Sequence, residues 1–169
     1  MPHLDFYAHV ATRGDVLGVG IGAQPADWEA ALGTDFLDVE DRGLLRRDYG
    51  LVELSFQEDD GAWPCFGVSV QVHRLRQGTE SSVPAALRGV YGAFKARPGF
   101  EGLATAIAER GCSVEAETDG NGTAGDMHRY RVPESGVTIF VCADEEDAQG
   151  QSGEIWRLSV PPTWWREAG

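Results

Sequence analysis

The run from Leu44 to Leu75, LLRRDYGLVELSFQEDDGAWPCFGVSVQVHRL, constrains this chain more than any other stretch, because it reads as an antiparallel β-meander. Val52, Leu54 and Phe56 alternate with Leu51, Glu53 and Ser55. A two-residue period puts one set on a buried sheet face and the other toward solvent. Phe66, Val68, Val70 and Val72 repeat the pattern against Gly67, Ser69, Gln71 and His73. Between the two runs, Glu58-Asp59-Asp60-Gly61 carries an Asp-Gly pair suited to the positive φ of a tight hairpin. A short strand over Leu44 to Arg47 and a corner at Asp48-Tyr49-Gly50 precede them.

The flanks supply the rest of the architecture. Alternation over His3 to Val10 predicts a first strand, and the alternate glycines of Leu17 to Gly22 a close-packed strand or turn that lacks dinucleotide-fingerprint spacing. Pro25 to Leu32 has the proline, early acid and following glycine of a short helix, with Trp28 and Leu32 on its apolar side. Phe36 to Gly43, bearing Asp38, Glu40 and Asp41, bridges to the meander, and apolar-poor Arg76 to Ser82 reads as a linker. Ser82 can cap a helix in which Leu87, Val90, Tyr91 and Phe94 keep a helical period to Lys95; Pro98 breaks it, and Phe100, Leu103 and Ile107 resume it until Gly111. Strands then return at Ser113 to Thr118, at His128, Tyr130 and Val132, and at Val137, Ile139 and Val141; Ile155 to Val160 closes the sheet with Trp156 and Leu158 inward. That order predicts an α+β fold, antiparallel sheet packed against a few helices. It also suggests two tandem helix-plus-meander halves, residues 1–80 and 81–169, able to close into one domain.

Charge narrows the partners. The formal net charge of the 169 residues is −13, a field that repels phosphate backbones and anionic headgroups. Nucleic acid and membrane surfaces are therefore expected not to bind, and a basic protein is favoured. No apolar run reaches the ~20 residues of a bilayer span, and the first residues lack a basic-then-apolar leader pattern, so a cytoplasmic location is expected. Cys65, Cys112 and Cys142 have neither the number nor the spacing of a disulfide framework or zinc site.

Local motifs for catalysis are weak. His3, His9, His73 and His128 do not fall at helical metal-binding spacing, and no nucleophile elbow, zincin motif or P-loop occurs, so neither metal nor cofactor is expected. An enzyme would have to assemble scattered groups such as His73, Asp48 and Glu53. Two acidic turns, Glu58-Asp59-Asp60 and Asp144-Glu145-Glu146-Asp147, lack the spacing of a calcium loop but join successive strands, where a rigid frame holds loops out. They are the candidate partner-binding groups, able to pair with a partner's arginine or lysine. Trp63, Trp164 and Trp165 are candidate aromatic anchors beside them, or plugs of the core.

Leu44-Leu-Arg-Arg-Asp-Tyr-Gly-Leu-Val-Glu-Leu-Ser-Phe56, with Ile21-Gly22 and Trp28-Glu-Ala-Ala-Leu-Gly33 before it and Val70-Gln-Val-His-Arg-Leu75 after it, resembles small actinobacterial proteins of polymorphic toxin systems. The likeness covers the first half of the chain. It implies a compact, acidic, cytosolic α+β immunity protein that binds and blocks a cognate toxin, such as a nuclease or nucleotide-modifying enzyme with a basic cleft. The element order is also similar to the β-lactamase inhibitor proteins, which are secreted and disulfide-bonded where this chain is not built to be. The alternative expectation is a small-molecule or peptide-binding regulatory domain with its pocket on an open sheet face.

Overall fold

The structure, a computed structural model, describes residues 2–78, 82–117, 127–142 and 153–162. Its fold is α+β, and the described residues build one antiparallel sheet of eight strands. The first four are β1 (Leu37–Asp41), β2 (Leu44–Asp48), β3 (Val52–Gln57) and β4 (Cys65–Val70). The others are β5 (Glu115–Ala116), β6 (Met127–Val132), β7 (Val137–Cys142) and β8 (Ile155–Val160). Their spatial order is β1-β2-β3-β4-β8-β7-β6-β5, so two meanders meet through β4 and β8. Four α-helices, α1 (Pro2–Arg13), α2 (Pro25–Leu32), α3 (Ala85–Tyr91) and α4 (Phe100–Glu109), and a 3-10 helix at Val72–Gln77 complete the described elements.

The strand expected over His3 to Val10 is instead the helix α1. Phe6, Tyr7, Val10 and Ala11 are all fully buried, and spacings of one, four and five residues form a helical stripe and not one face of a strand. Phe6 meets Tyr91 and Phe94 edge to face at 5.3 and 5.6 Å, which fixes α1 against the chain around α3. Gly14, at φ 75°, ends the helix with its N–H on the Val10 carbonyl. The stretch 36–43 is likewise more than a bridge, since it forms β1 and a two-residue turn, Arg42-Gly43, into β2. Ser82 does not cap α3; Pro84 stands at its N-cap, and Gly92 ends it at Tyr91, short of Lys95. Of the strand expected over Ser113 to Thr118, the described residues place Glu115–Ala116 in the sheet, and Thr118 lies outside them.

The helices share one hydrophobic core with the inner sheet face. Val52, Leu54 and Phe56 of β3, Val137, Ile139 and Val141 of β7, and Leu158 and Val160 of β8 are buried there with Trp28, Leu87, Leu103 and Ile107. The residues between them point to the opposite, outer face.

The two meanders match in register as well as order. β3 pairs β4 as Leu54↔Val68 and Ser55↔Gly67, then shifts to Phe56↔Cys65, leaving Phe66 as the extra residue of a bulge. β7 pairs β8 as Ile139↔Leu158 and Phe140↔Arg157, then shifts to Val141↔Ile155, leaving Trp156 in the same role. Between the meanders, Val68↔Val160 and Val70↔Leu158 flank Ser69↔Ser159, a pairing symmetric about the two serines. An approximate two-fold relation in topology thus runs through that serine pair. The bulges also correct two expectations: Phe66 does not continue the inward alternation of Val68 and Val70, and Trp156 is half-buried in a bulge beside fully buried Leu158.

Candidate functional site

The β3–β4 hairpin closes as expected. Asp60 and Gly61 both have positive φ, 51° and 85°, the signature of a type I′ turn, and Asp59 and Ala62 exchange backbone hydrogen bonds of 2.9 and 3.0 Å across it. Glu58, Asp59 and Asp60 are exposed, and among the described residues none has a cationic partner. The β1–β2 turn stands beside this tip. Arg42 and Gly43 have φ 53° and 80°, and Glu58 donates its N–H to the Gly43 carbonyl at 2.8 Å. Two rigid turns are thereby locked side by side at one end of the sheet, the first preceded by Asp41 and the second carrying Glu58, Asp59 and Asp60. Arg42 is the cation among them, fully out in solvent and only 3.9 Å from Asp41.

Apolar surface lies next to that acidic end. By register, Leu37, Val39 and Asp41 of β1 share the outer face with Leu44, Arg46 and Asp48 of β2. Leu37, Val39 and Leu44 are 75%, 67% and 48% exposed, unlike the apolar residues of the inner face. The bulge places Phe66 between two hollows. One, of about 280 Å³, is walled by Val39, Leu44, Arg46, Ser55 and Phe66. The other, of about 350 Å³, is walled by Ile21, Glu58, Asp59, Pro64, Phe66 and Pro162. Glu58 and Asp59 thus belong to the tip and to a hollow at once.

Trp63, the candidate anchor of this hairpin, is half-buried against the core, and its backbone N–H donates to Gln24 Oε1 at 2.8 Å. It ties the hairpin to the start of α2 more than it offers a free ring. The other candidates, Asp144, Glu145, Glu146, Asp147, Trp164 and Trp165, lie outside the described residues.

Deeper on the outer face, Asp48 and Glu53 are cross-strand neighbours tied into a network of charges. Arg74 donates to Asp48 Oδ1 at 2.7 Å and Glu53 Oε2 at 3.2 Å, and Arg46 Nε lies 3.2 Å from Glu53 Oε1. The same Arg74 also donates to the Gly50 carbonyl at 2.8 Å, so it clasps the β2–β3 corner to the 3-10 helix. His73 does not join these carboxylates. It sits in the 3-10 helix and not at a strand end, stacked on Trp156 at 4.5 Å and 10°. Cys65 is buried, and burial pushes its thiol up to about 11, far from the range of a nucleophilic thiolate. Among the described residues, no group of three or more histidine, cysteine, aspartate or glutamate side chains could hold a metal ion.

Two histidines give a pH prediction. Burial holds both His3 and His73 below the ordinary 6.5, helped by Lys95 at His3 and opposed at His73 by the Trp156 carbonyl. A lowered folded-state value means that the unfolded chain binds the proton first, so this stability is complete above 6.5 and is lost as pH falls through 6.5 toward the folded value. The melting temperature should drop by a few degrees between about pH 7.5 and about pH 5.5. His3→Gln should flatten part of that slope and His73→Gln another part; an unchanged slope in the double variant would refute the assignment.

Comparison with family models, curated proteins and solved structures found no match. Sequence reasoning found the β3–β4 tip but missed the β1–β2 arm and the Phe66 hollows. The available signal for the arm was Leu37 and Val39 alternating with Asp38 and Glu40 ahead of Arg42-Gly43.

Proposed function

We propose that this chain is a non-catalytic binding protein of the immunity type, which blocks a cognate toxin by seating its acidic end in a basic cleft. One observation carries the proposal: two hydrogen-bonded type I′ turns hold the carboxylates of Asp41, Glu58, Asp59 and Asp60 beside an exposed apolar strip of Leu37, Val39 and Leu44. Carboxylates on a rigid mount lose little freedom on binding and present charge where a phosphate-binding cleft expects it. The apolar strip provides the dry contact that charge alone does not. The net charge of −13 speeds and orients the encounter with a positive partner.

Co-expression with the toxin encoded by the neighbouring reading frame tests the proposal. The wild-type chain should co-purify with it and restore growth, with affinity falling as salt rises. Glu58→Lys combined with Asp59→Lys and Asp60→Lys should weaken the complex at least about tenfold. Failure of the wild type to rescue growth, or rescue that ignores the triple reversal, would reject it.

A second reading, a peptide- or small-molecule-binding regulatory domain, draws on the hollows of about 280 and 350 Å³ that flank Phe66. They fall near the lower bound of ligand sites. It predicts that Phe66→Ala abolishes ligand binding while the triple reversal does not.

A further inference from the structure

We infer that the outer edge of β1 accepts an extended segment of a basic protein as an added strand. The inference rests on the chain being a protein binder, but not on the partner being a toxin or on the acidic tip. Among the described residues β1 ends the sheet, and all five of its residues are exposed, whereas β5, at the opposite end, has two described residues.

The backbone groups left open on β1 follow from the ladder. Glu58 donates to the Gly43 carbonyl and Tyr49 to the Val52 carbonyl, so the odd-numbered residues of β2 turn their backbone groups toward β3. Leu44, Arg46 and Asp48 therefore face β1, where their partners are Asp41, Val39 and Leu37. The N–H and C=O groups of Asp38 and Glu40 are left pointing away from the sheet, the row that a further strand pairs with.

Side chains decide what that strand is. Leu37 and Val39 offer apolar contacts on the outer face, while Asp38 and Glu40 lie on the other. An incoming segment that alternates aliphatic with lysine or arginine residues meets like with like on one face and the Glu40 carboxylate on the other, where Asp38 is already held by Arg47. A second copy of this chain fits badly. Antiparallel self-pairing about Val39 would set Asp38 against Glu40 twice, between two molecules each carrying −13.

Glu40→Pro separates the possibilities. It removes an outward N–H while leaving the β2 ladder intact, and an edge strand tolerates proline. The probe is a capped peptide of about seven residues alternating valine with lysine, titrated into the full chain, with a scrambled-order peptide as control. The wild type should bind the alternating peptide, with amide shifts centred on Asp38 and Glu40. Glu40→Pro should lose at least about tenfold in affinity at an unchanged melting temperature, and Glu40→Lys should lose affinity with the ladder retained. The Glu58, Asp59 and Asp60 reversal should weaken the alternating and the scrambled peptide alike through the overall field, but at about 0.5 M salt it should leave the preference for the alternating order within about twofold, which separates this edge from the tip proposed above. Equal binding by Glu40→Pro, equal binding of the scrambled peptide, or peptide-free self-association that Glu40→Pro abolishes would each overturn the inference.

Discussion

Gly50→Ala should destabilise the fold by about 3 kcal/mol, far beyond the usual cost of adding a methyl group to a turn. Gly50 sits at φ 95°, where an L side chain is strained. A Cβ there would also lie 2.5 Å from the Ser82 carbonyl oxygen and 3.1 Å from its carbon. Neither side can move aside cheaply. The same Ser82 oxygen accepts the Leu51 N–H at 2.7 Å, while Gly50 itself donates to Asp48 Oδ1 at 2.7 Å and accepts from Arg74 at 2.8 Å. The β2–β3 corner therefore touches the segment entering α3 backbone to backbone, and a methyl group would push them apart. Gly61→Ala is the control, because Gly61 has a similar φ of 85° with nothing within 4 Å of the added carbon. It should cost only about 1 kcal/mol. Urea unfolding of both variants measures the difference, and equal losses would mean that the close approach to Ser82 does not constrain the fold.

What could be read beforehand followed from where one face of an element is buried. Val52, Leu54 and Phe56 announced β3 because their neighbours Glu53 and Ser55 could not share the core, and Asp60-Gly61 announced its turn by conformational preference alone. The helix α2 was legible to its ends, since Pro25 and Gly33 punctuate it. The first helix was not, because Leu4, Phe6 and Ala8 satisfy a period of two while Phe6, Tyr7, Val10 and Ala11 satisfy a helical stripe, and only packing against Tyr91 and Phe94 decides between them. β1 escaped notice for the opposite reason. Leu37 and Val39 alternate with Asp38 and Glu40, but the fold leaves that apolar face outside the core, so burial does not mark it, and the ladder to β2 makes it a strand. The candidate site was half legible: the acidic tip is written in four consecutive residues, whereas the hollows depend on a bulge at Phe66 that local sequence does not announce.

Asp38→Ala should cost about 3 kcal/mol, and Arg47→Met only about 1 kcal/mol, although both break the same ion pair. The asymmetry comes from burial. Arg47 is 4% exposed on the inner side of β2, while the Asp38 side chain retains 35% exposure. Burial alone would pull the guanidinium pKa down, but the charge of Asp38 and its hydrogen bonds of 2.9 and 3.1 Å, together with Tyr49, more than offset it and hold the pKa above the ordinary value. Without Asp38 the cation keeps the Pro25 carbonyl at 3.2 Å and the longer contact to Glu29 at 3.7 Å, too little for a charge out of water. Without the guanidinium, the exposed carboxylate hydrates, and methionine refills much of the space stacked on Phe36 at 3.7 Å. Because Arg47 ties β1 to α2 through Asp38 and Pro25, the Asp38 variant should also speed amide exchange in β1 before the rest of the sheet, releasing the arm that carries Val39 and Glu40. Equal losses in the two variants, or exchange rising evenly across all strands, would show that the arm is held by its ladder to β2 and not by the buried cation.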